Sequence, residues 1–190
     1  LRIDRNHAAA RAEADLRAIH TGDLGVRRTL LEDAAAGSED AGVYAVLADL
    51  CAVMGDRDGA AAALAACIEH GGAASLPTQL AAMAVRLGDW DTAVKLAESA
   101  EDWRVSGTLH EVRRTDTESA LAAWSKLADD AVAASGRVRL AGRAGDRGAL
   151  AAAHRDVAAA AQSPGIRGVH AVLAGRLAAG AGDAAAAGAA

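Results

Sequence analysis

A Gly-Asp pair recurs at a fixed interval along the first half of the sequence. Consecutive pairs are 33 residues apart, because 55 − 22 and 88 − 55 both give 33. The three pairs are Gly22-Asp23, Gly55-Asp56 and Gly88-Asp89. Apolar residues at helical spacing precede and follow each pair, which predicts a tight turn between two helices. A fixed period of this length is typical of stacked helical hairpins that bury their apolar faces against their neighbours.

Aligning the chain on these turns places small or apolar residues at equivalent positions in the two helices of each hairpin. In the copy over residues 41–73 these residues are Tyr44, Leu47, Ala48, Cys51, Ala60, Leu64 and Cys67. In the next copy the same positions hold Pro77, Leu80, Ala81, Ala84, Ala93, Ala97 and Ala100. In these two copies the positions where the helices would cross most closely hold alanine, namely Ala48, Ala60, Ala81 and Ala93, whereas the first copy has Arg27 there. Alanine allows the closest approach of two helices that pack face to face.

This pattern resembles the tetratricopeptide repeat (TPR), whose order of large, small and alanine positions it follows. The chain differs from that family in its period of 33 residues, in Gly72 at the position of the closing proline, and in its few aromatic residues. The resemblance implies a right-handed α-solenoid whose first helices line a concave ligand-binding face. It also implies a role in protein association.

On this basis the chain is predicted to be all-α, with about five to six antiparallel helix hairpins. The repeats are expected near residues 7–37, 41–73, 74–101, 102–130, 131–162 and 165–180. The fourth repeat is short, because its turn at Thr115-Asp116 follows Gly88 by only 27 residues (115 − 88). We therefore expect one domain over residues 1–180, followed by an Ala/Gly-rich tail or a truncated last helix over residues 181–190.

The residues that could carry chemistry favour structural roles. Glycine can end one helix and aspartate can cap the next, which explains each Gly-Asp pair without a metal ion. Cys51 and Cys67 fall on inward positions and are expected to be buried, reduced thiols. The six histidines do not have the spacing of metal ligands. The glycines at 142, 145 and 148 do not indicate a dinucleotide-binding site, because such a site requires a preceding strand and none is predicted there. We expect no enzymatic activity, no catalytic residue, no cofactor and no metal.

The net charge of −5 is unevenly distributed. Residues 1–103 carry 9 basic and 17 acidic side chains, whereas residues 104–176 carry 11 basic and 7 acidic ones. Overall acidity argues against a nucleic-acid partner, which would require a basic surface. No apolar stretch is long enough to span a bilayer, and Leu1–His7 lacks the apolar core of a signal peptide. We therefore expect a cytoplasmic protein with no membrane partner.

Two further features concern the origin of the chain. The sequence does not begin with Met, which fits a piece of a longer protein whose targeting signals lie elsewhere. Its 18 arginines against 2 lysines, together with abundant Ala and Gly, are typical of GC-rich bacterial coding.

The TPR resemblance also assigns groove-lining positions on the first helices. Counting back from each turn, the polar residues at these positions are His20, Asp49, Arg86, Arg113, Arg139, Arg143 and Arg176. The apolar ones are Leu16, Val53, Ala82 and Leu109. Arginine forks suit the carboxylates and carbonyls of an acidic peptide, and the alternative is a solvated polar face in an arginine-rich chain. The three tryptophans at 90, 103 and 124 are expected in the core rather than on a ligand.

These observations favour a non-enzymatic scaffold that binds a peptide or protein segment, with an acidic segment favoured by the arginines. One alternative is a regulatory or sensor module of a larger bacterial protein, such as a transcription regulator. The other is a helical enzyme whose site the sequence does not reveal. The pattern does not indicate the oligomeric state.

Overall fold

The computed structural model describes the backbone of residues 8–180 and the side chains of residues 12–180. These residues form twelve α-helices and no β-strand, so the all-α prediction is confirmed. The helices are α1 (Ala8–Thr21), α2 (Leu24–Ala35), α3 (Ala41–Val53), α4 (Arg57–Glu69), α5 (Gly72–Ser75), α6 (Pro77–Leu87), α7 (Trp90–Ser99), α8 (Trp103–Leu109), α9 (Thr117–Ser125), α10 (Ala131–Ala144), α11 (Arg147–Ala160) and α12 (Pro164–Gly180). No helix in the described part of the chain is long and apolar enough to cross a bilayer. The tail predicted over residues 181–190 lies outside the described residues.

The helices pack in sequential pairs: α1 on α2, α3 on α4, α6 on α7, α8 on α9 and α10 on α11. The last described helix, α12, packs on α11. The chain divides into two compact units, the first ending at Ala100 and the second beginning at Glu101. Within the first unit α2 contacts α3 and α4 contacts α6, and within the second unit α9 contacts α10. Each pair therefore also contacts the next pair in its own unit, while one continuous solenoid over residues 1–180 stays a prediction.

The same arrangement closes every hairpin turn. The first helix of the pair ends at a residue with positive φ, which is Gly22, Gly55, Gly88, Thr115 or Gly145. The residue that follows is always an aspartate, and its carboxylate accepts a hydrogen bond from the N–H three residues further on. At the second turn, Asp56 accepts from the Gly59 N–H at 2.9 Å and donates its own N–H to the Cys51 carbonyl at 2.9 Å. One residue thus caps the end of one helix and the beginning of the next, as the Gly-Asp pattern predicted.

The two helices of a pair pack through alanine. The predicted crossing residues are all buried in the structure: Ala48, Ala60, Ala81 and Ala93. Cys51 and Cys67 are also buried and carry free thiols, as expected from their inward positions. Burial raises the pKa of both thiols, and the Cys67 Sγ lies 3.1 Å from the Ala41 carbonyl as a hydrogen-bond donor. Both cysteines are therefore packing residues that stay protonated at neutral pH.

The second unit is built around a single large side chain. Trp124 of α9 is only 1% exposed and lies between Gly107 of α8 and Gly136 of α10. A Cβ atom added at either glycine would lie 2.7 Å from an indole atom. The two glycines therefore form a slot that the indole fills, and the prediction that Trp124 belongs to the core is confirmed.

The short fourth hairpin contains a π-helical turn, His110–Arg114, which continues α8. The Asp116 N–H bonds to the His110 carbonyl six residues back, whereas Asp56 bonds to a carbonyl five residues back. The first helix therefore buries Leu109, His110 and Glu111 in a row. Three other first helices, α3, α6 and α10, bury two consecutive residues at this place: Leu50 and Cys51, Met83 and Ala84, or Leu140 and Ala141.

This extra residue changes one sequence-based assignment. Leu109 was expected on the groove, seven residues before the turn aspartate, but the structure buries it at 6% exposure. One added residue rotates the preceding part of a helix by about 100° relative to the turn. Leu109 consequently takes the core position that Leu50 and Met83 take in the first unit.

The glycine slot gives a matched pair of substitutions within α10. Gly136→Ala should destabilise the protein by about 1–3 kcal/mol, because the new methyl group would collide with the indole of Trp124. Gly142→Ala should stabilise it by about 0.5–1 kcal/mol, because glycine is a poor helix former and a Cβ at this position meets nothing within 4 Å. Urea unfolding followed by circular dichroism measures both changes. Similar effects of the two substitutions would contradict the slot.

Candidate interaction surface

The large apolar side chains that remain exposed lie almost entirely on first helices, meaning α1, α3, α6, α8 with its π-helical turn, α10 and α12. In the first unit they are Leu16, Ile19, Val46, Val53 and Met54, the last of which follows α3 as its C-cap. In the second unit they are Val112, Val132, Ile166, Val169, Val172 and Leu173. Among the described residues the exception is Val26 on α2. Water-exposed apolar groups concentrated on one set of helices are a feature of interaction surfaces.

The exposed apolar residues share helix faces with the predicted groove positions. On α3, Val46, Asp49 and Val53 are spaced i, i+3 and i+7, which places them on one side of the helix. On α10, Val132 lies seven and eleven residues before Arg139 and Arg143, again on one side. On α3 and α10, exposed apolar and charged side chains thus lie on the same side of the helix.

In the first unit the structure brings two predicted site residues together. Arg86 of α6 lies 3.1 Å from the carboxylate of Asp49 of α3, and both side chains are about half exposed. His20 is exposed near the end of α1. The charge of Arg86 is therefore already paired within the chain, although a pair this exposed contributes little to stability.

In the second unit two predicted arginines converge on a buried carboxylate. Glu111 has a side chain that is only 2% exposed, and both its oxygens accept hydrogen bonds from Arg139 at 2.9 Å. Arg143, which is more exposed, lies 3.6 Å from the same carboxylate. The bonds from Arg139 hold the pKa of Glu111 below its usual range despite burial, and the pKa of Arg139 is raised in turn. Arg139 thus neutralises a core carboxylate, whereas most of Arg143 faces solvent.

The remaining predicted residues lie on separate elements. Arg113 is exposed on the π-helical turn, and Arg176 is exposed on α12. No ion pair joins Arg176 to another residue in the described part of the chain. Trp90 and Trp103 are half-buried rather than core residues, and the Lys126 ammonium lies 5.7 Å from the Trp103 ring.

A histidine pair that the sequence did not suggest joins α11 to α12. The Nδ1 atoms of His154 and His170 are 2.9 Å apart, and His154 is buried. Two neutral imidazoles satisfy this contact when one Nδ1 carries a hydrogen and the other accepts it. Burial, and then the proximity of His170, lower the pKa of His154. The fold therefore favours the neutral form of His154.

Both missed groups left the same signal in the sequence. Counted along the sequence alone, Glu111 lies five residues before Asp116, just as the buried Cys51 lies five residues before Asp56. His154 lies eight residues after Asp146, at the buried position that Leu64 holds after Asp56. A polar residue at a core position of the repeat requires a partner, and a search for such residues would have found both groups.

The first unit also contains an open groove of about 270 Å³. Its walls include Arg57, Leu64 and Ile68 of α4, Leu87 at the end of α6, and Thr92 of α7. Ligand pockets usually enclose about 300–1,000 Å³, so this groove is slightly smaller than a usual ligand pocket. Among the described residues no group of three or more His, Cys, Asp or Glu side chains is arranged to hold a metal ion.

The sequence matches no protein-family model and no curated protein.

The ion pair at Glu111 gives a testable expectation for stability. Arg139→Ala should destabilise the protein by about 1–3 kcal/mol, less than for a fully buried pair because Arg139 is half exposed. Glu111→Gln in the same chain should recover part of this loss, because a neutral amide needs no counter-charge. The pKa of Glu111 is depressed in the folded state, so its stabilising contribution is present above about pH 4.3 and is lost as the pH falls through the folded pKa. Urea unfolding of the three proteins should show the largest difference at neutral pH, and a difference independent of pH would contradict the pairing.

The histidine pair predicts a second dependence of stability on pH, which comes from the base His154 rather than from a carboxylic acid. Because the folded-state pKa of His154 is lowered, the unfolded chain binds the proton first as the pH falls below about 6.5, and stability decreases. Leucine fits this site, because Leu64 occupies the equivalent position of the second hairpin. His154→Leu should therefore reduce the slope of unfolding free energy against pH between about pH 8 and 5.5. His20→Asn on the exposed end of α1 is the matched control for the loss of one histidine. An equal slope in His154→Leu and the parent protein would contradict the assignment.

Proposed function

We propose that this chain is a non-enzymatic, TPR-like scaffold that binds a protein or peptide segment on the exposed faces of its first helices. The observation that supports this proposal best is the distribution of exposed apolar residues, nearly all of which lie on first helices. Burial of such groups by a partner would remove apolar surface from water and drive association.

The packing of the helices is compatible with a TPR-like array. In each unit first helices contact one another, α3 with α6 and α8 with α10, and so form adjacent ridges. The alanine crossings and the aspartate turns repeat with the pairs. In a right-handed solenoid of this kind, ridges of first helices form the inner wall along which a ligand lies. The solenoid and its concave groove are part of the proposal.

The charges of the first helices indicate which arginines a ligand could use. Arg139 is held by Glu111 and Arg86 by Asp49, so neither offers a full positive charge to a partner. Arg143 and Arg176 are the better candidates, because the one ion pair of Arg143 within residues 12–180 is its long contact with Glu111. Residues 104–176 carry 11 basic against 7 acidic side chains, which favours an acidic segment as the partner of this region.

Selection from a peptide-display library tests the proposal. Peptides that bind the parent protein should bind at least about tenfold more weakly to one or more of Val53→Asp, Val132→Asp and Val169→Asp, because a charge in an apolar contact costs more than 1.4 kcal/mol. Val26→Asp is the matched control, since Val26 is similarly exposed but lies on a second helix. Fluorescence anisotropy measures each affinity, and circular dichroism verifies that each variant is folded.

Two results would contradict the proposal. The first is a library that yields no binder to the full chain. The second is a set of binders that Val26→Asp weakens as much as the first-helix substitutions do. Arg139 is unsuitable for such a test, because its replacement would also leave the carboxylate of Glu111 without its main partner.

A further inference from the structure

The helix α12 exposes more large apolar residues than any other described first helix. Ile166, Val169 and Leu173 are 52%, 58% and 38% exposed, and their spacing of i, i+3 and i+7 forms one stripe along the helix. Val172, which is 55% exposed, lies beside it. Ala174 and Ala178 are buried on the opposite side. The stripe therefore faces away from the contact with α11.

The charges on α12 are all of one sign. Its sequence from Pro164 to Gly180 contains Arg167 and Arg176 and no acidic residue. Arg167 donates a hydrogen bond to the Ala161 carbonyl at 3.0 Å, close to the beginning of the helix. Arg176 lies three residues after Leu173, at the end of the stripe. A complementary surface would thus be apolar along its centre and acidic opposite Arg176.

We propose that α12 docks an amphipathic helix of a partner protein, with an apolar seam on Ile166, Val169 and Leu173 and an acidic side chain on Arg176. The proposal rests on the proposed function and names one site and one type of partner for it. A stripe with helical spacing fits a second helix packed alongside, whose own side chains at i, i+3 and i+7 interdigitate with it.

The observations favour a protein helix over a lipid surface. Helices that lie on membranes usually combine a wide apolar face containing aromatic residues with several basic residues on the polar face. The helix α12 has no aromatic residue other than His170, which contacts His154, and only two arginines. The side of α12 opposite the stripe packs on α11.

The glycine content of α12 makes amide hydrogen exchange a second, independent measurement of binding to this helix. The helix contains Gly165, Gly168, Gly175 and Gly180, and glycine weakens a helix relative to alanine. Such a helix depends on packing for its stability, so amide exchange should be faster here than in alanine-rich helices. A partner helix packed on the stripe should slow amide exchange within α12.

The test uses the full chain and a synthetic, fluorescently labelled peptide with leucines at i, i+3 and i+7 and glutamates on both flanks. Two control peptides carry lysines in place of the glutamates, or the same residues in a scrambled order. Fluorescence anisotropy should show the acidic peptide binding at least about tenfold more tightly than either control, and more weakly as salt is added. Hydrogen exchange should show protection centred on α12.

Substitutions then locate the site. Leu173→Asp should weaken binding about tenfold or more, and Arg176→Glu should shift the preference toward the lysine-flanked peptide. Arg176 is exposed, so this variant remains informative if Leu173→Asp fails to fold. Val26→Asp, on a second helix of the first unit, should leave the affinity unchanged.

The outcomes separate this inference from the proposed function. If Val53→Asp weakens binding and Leu173→Asp does not, the inference fails and the proposed function stands. If no peptide binds, or the acidic and basic peptides bind equally, the inference is overturned, and the display selection decides the proposed function separately. If the parent protein self-associates and Leu173→Asp abolishes this association, the partner on the stripe is a second copy of the chain. Leu173-dependent binding to phosphatidylserine vesicles would make a membrane the occupant, and either result overturns the proposal.

Discussion

The structure depends on one aspartate at each hairpin turn, because that residue satisfies backbone groups of two helices at once. Its N–H bonds to a carbonyl of the helix that ends, and its carboxylate accepts an N–H of the helix that begins. Helices that meet through alanine have few large side chains to fix their crossing angle. The turn, together with the positive φ of the residue before it, therefore holds the two helices at the separation that alanine packing requires.

Local chemistry explains why so much of the fold could be predicted from the sequence. The Gly-Asp turns and the alanine crossings at Ala60 and Ala93 depend on neighbouring residues and on a repeated spacing, and both are visible in one sequence. The glycine slot around Trp124 is different, because it brings together α8, α9 and α10. Nothing in the residues near Gly107 or Gly136 indicates that an indole fills the space above them.

The candidate surface could be predicted in part for the same reason. Counting back from the turns identified exposed positions such as Val53 and Arg143, because exposure follows the register of a helix. The partners of those residues could not be predicted, since Arg139 and Glu111 are 28 residues apart and the π-helical turn alters the register between them. His154 and His170 likewise meet because two helices pack face to face. A side chain such as Arg139, which the sequence suggests could bind a ligand, is in this way already paired with another residue of the chain.

The π-helical turn has a consequence for how such a protein can diversify. A point substitution changes one side chain, but a single inserted residue before a turn rotates an entire helix segment by about 100° and reassigns which side chains meet water. Leu109 and Glu111 lie inside the protein in such a segment. The buried carboxylate is tolerated because Arg139 reaches it from the next hairpin. An inserted residue that is compensated by one ion pair thus changes which side chains a helix buries, while the turn that follows keeps its aspartate cap.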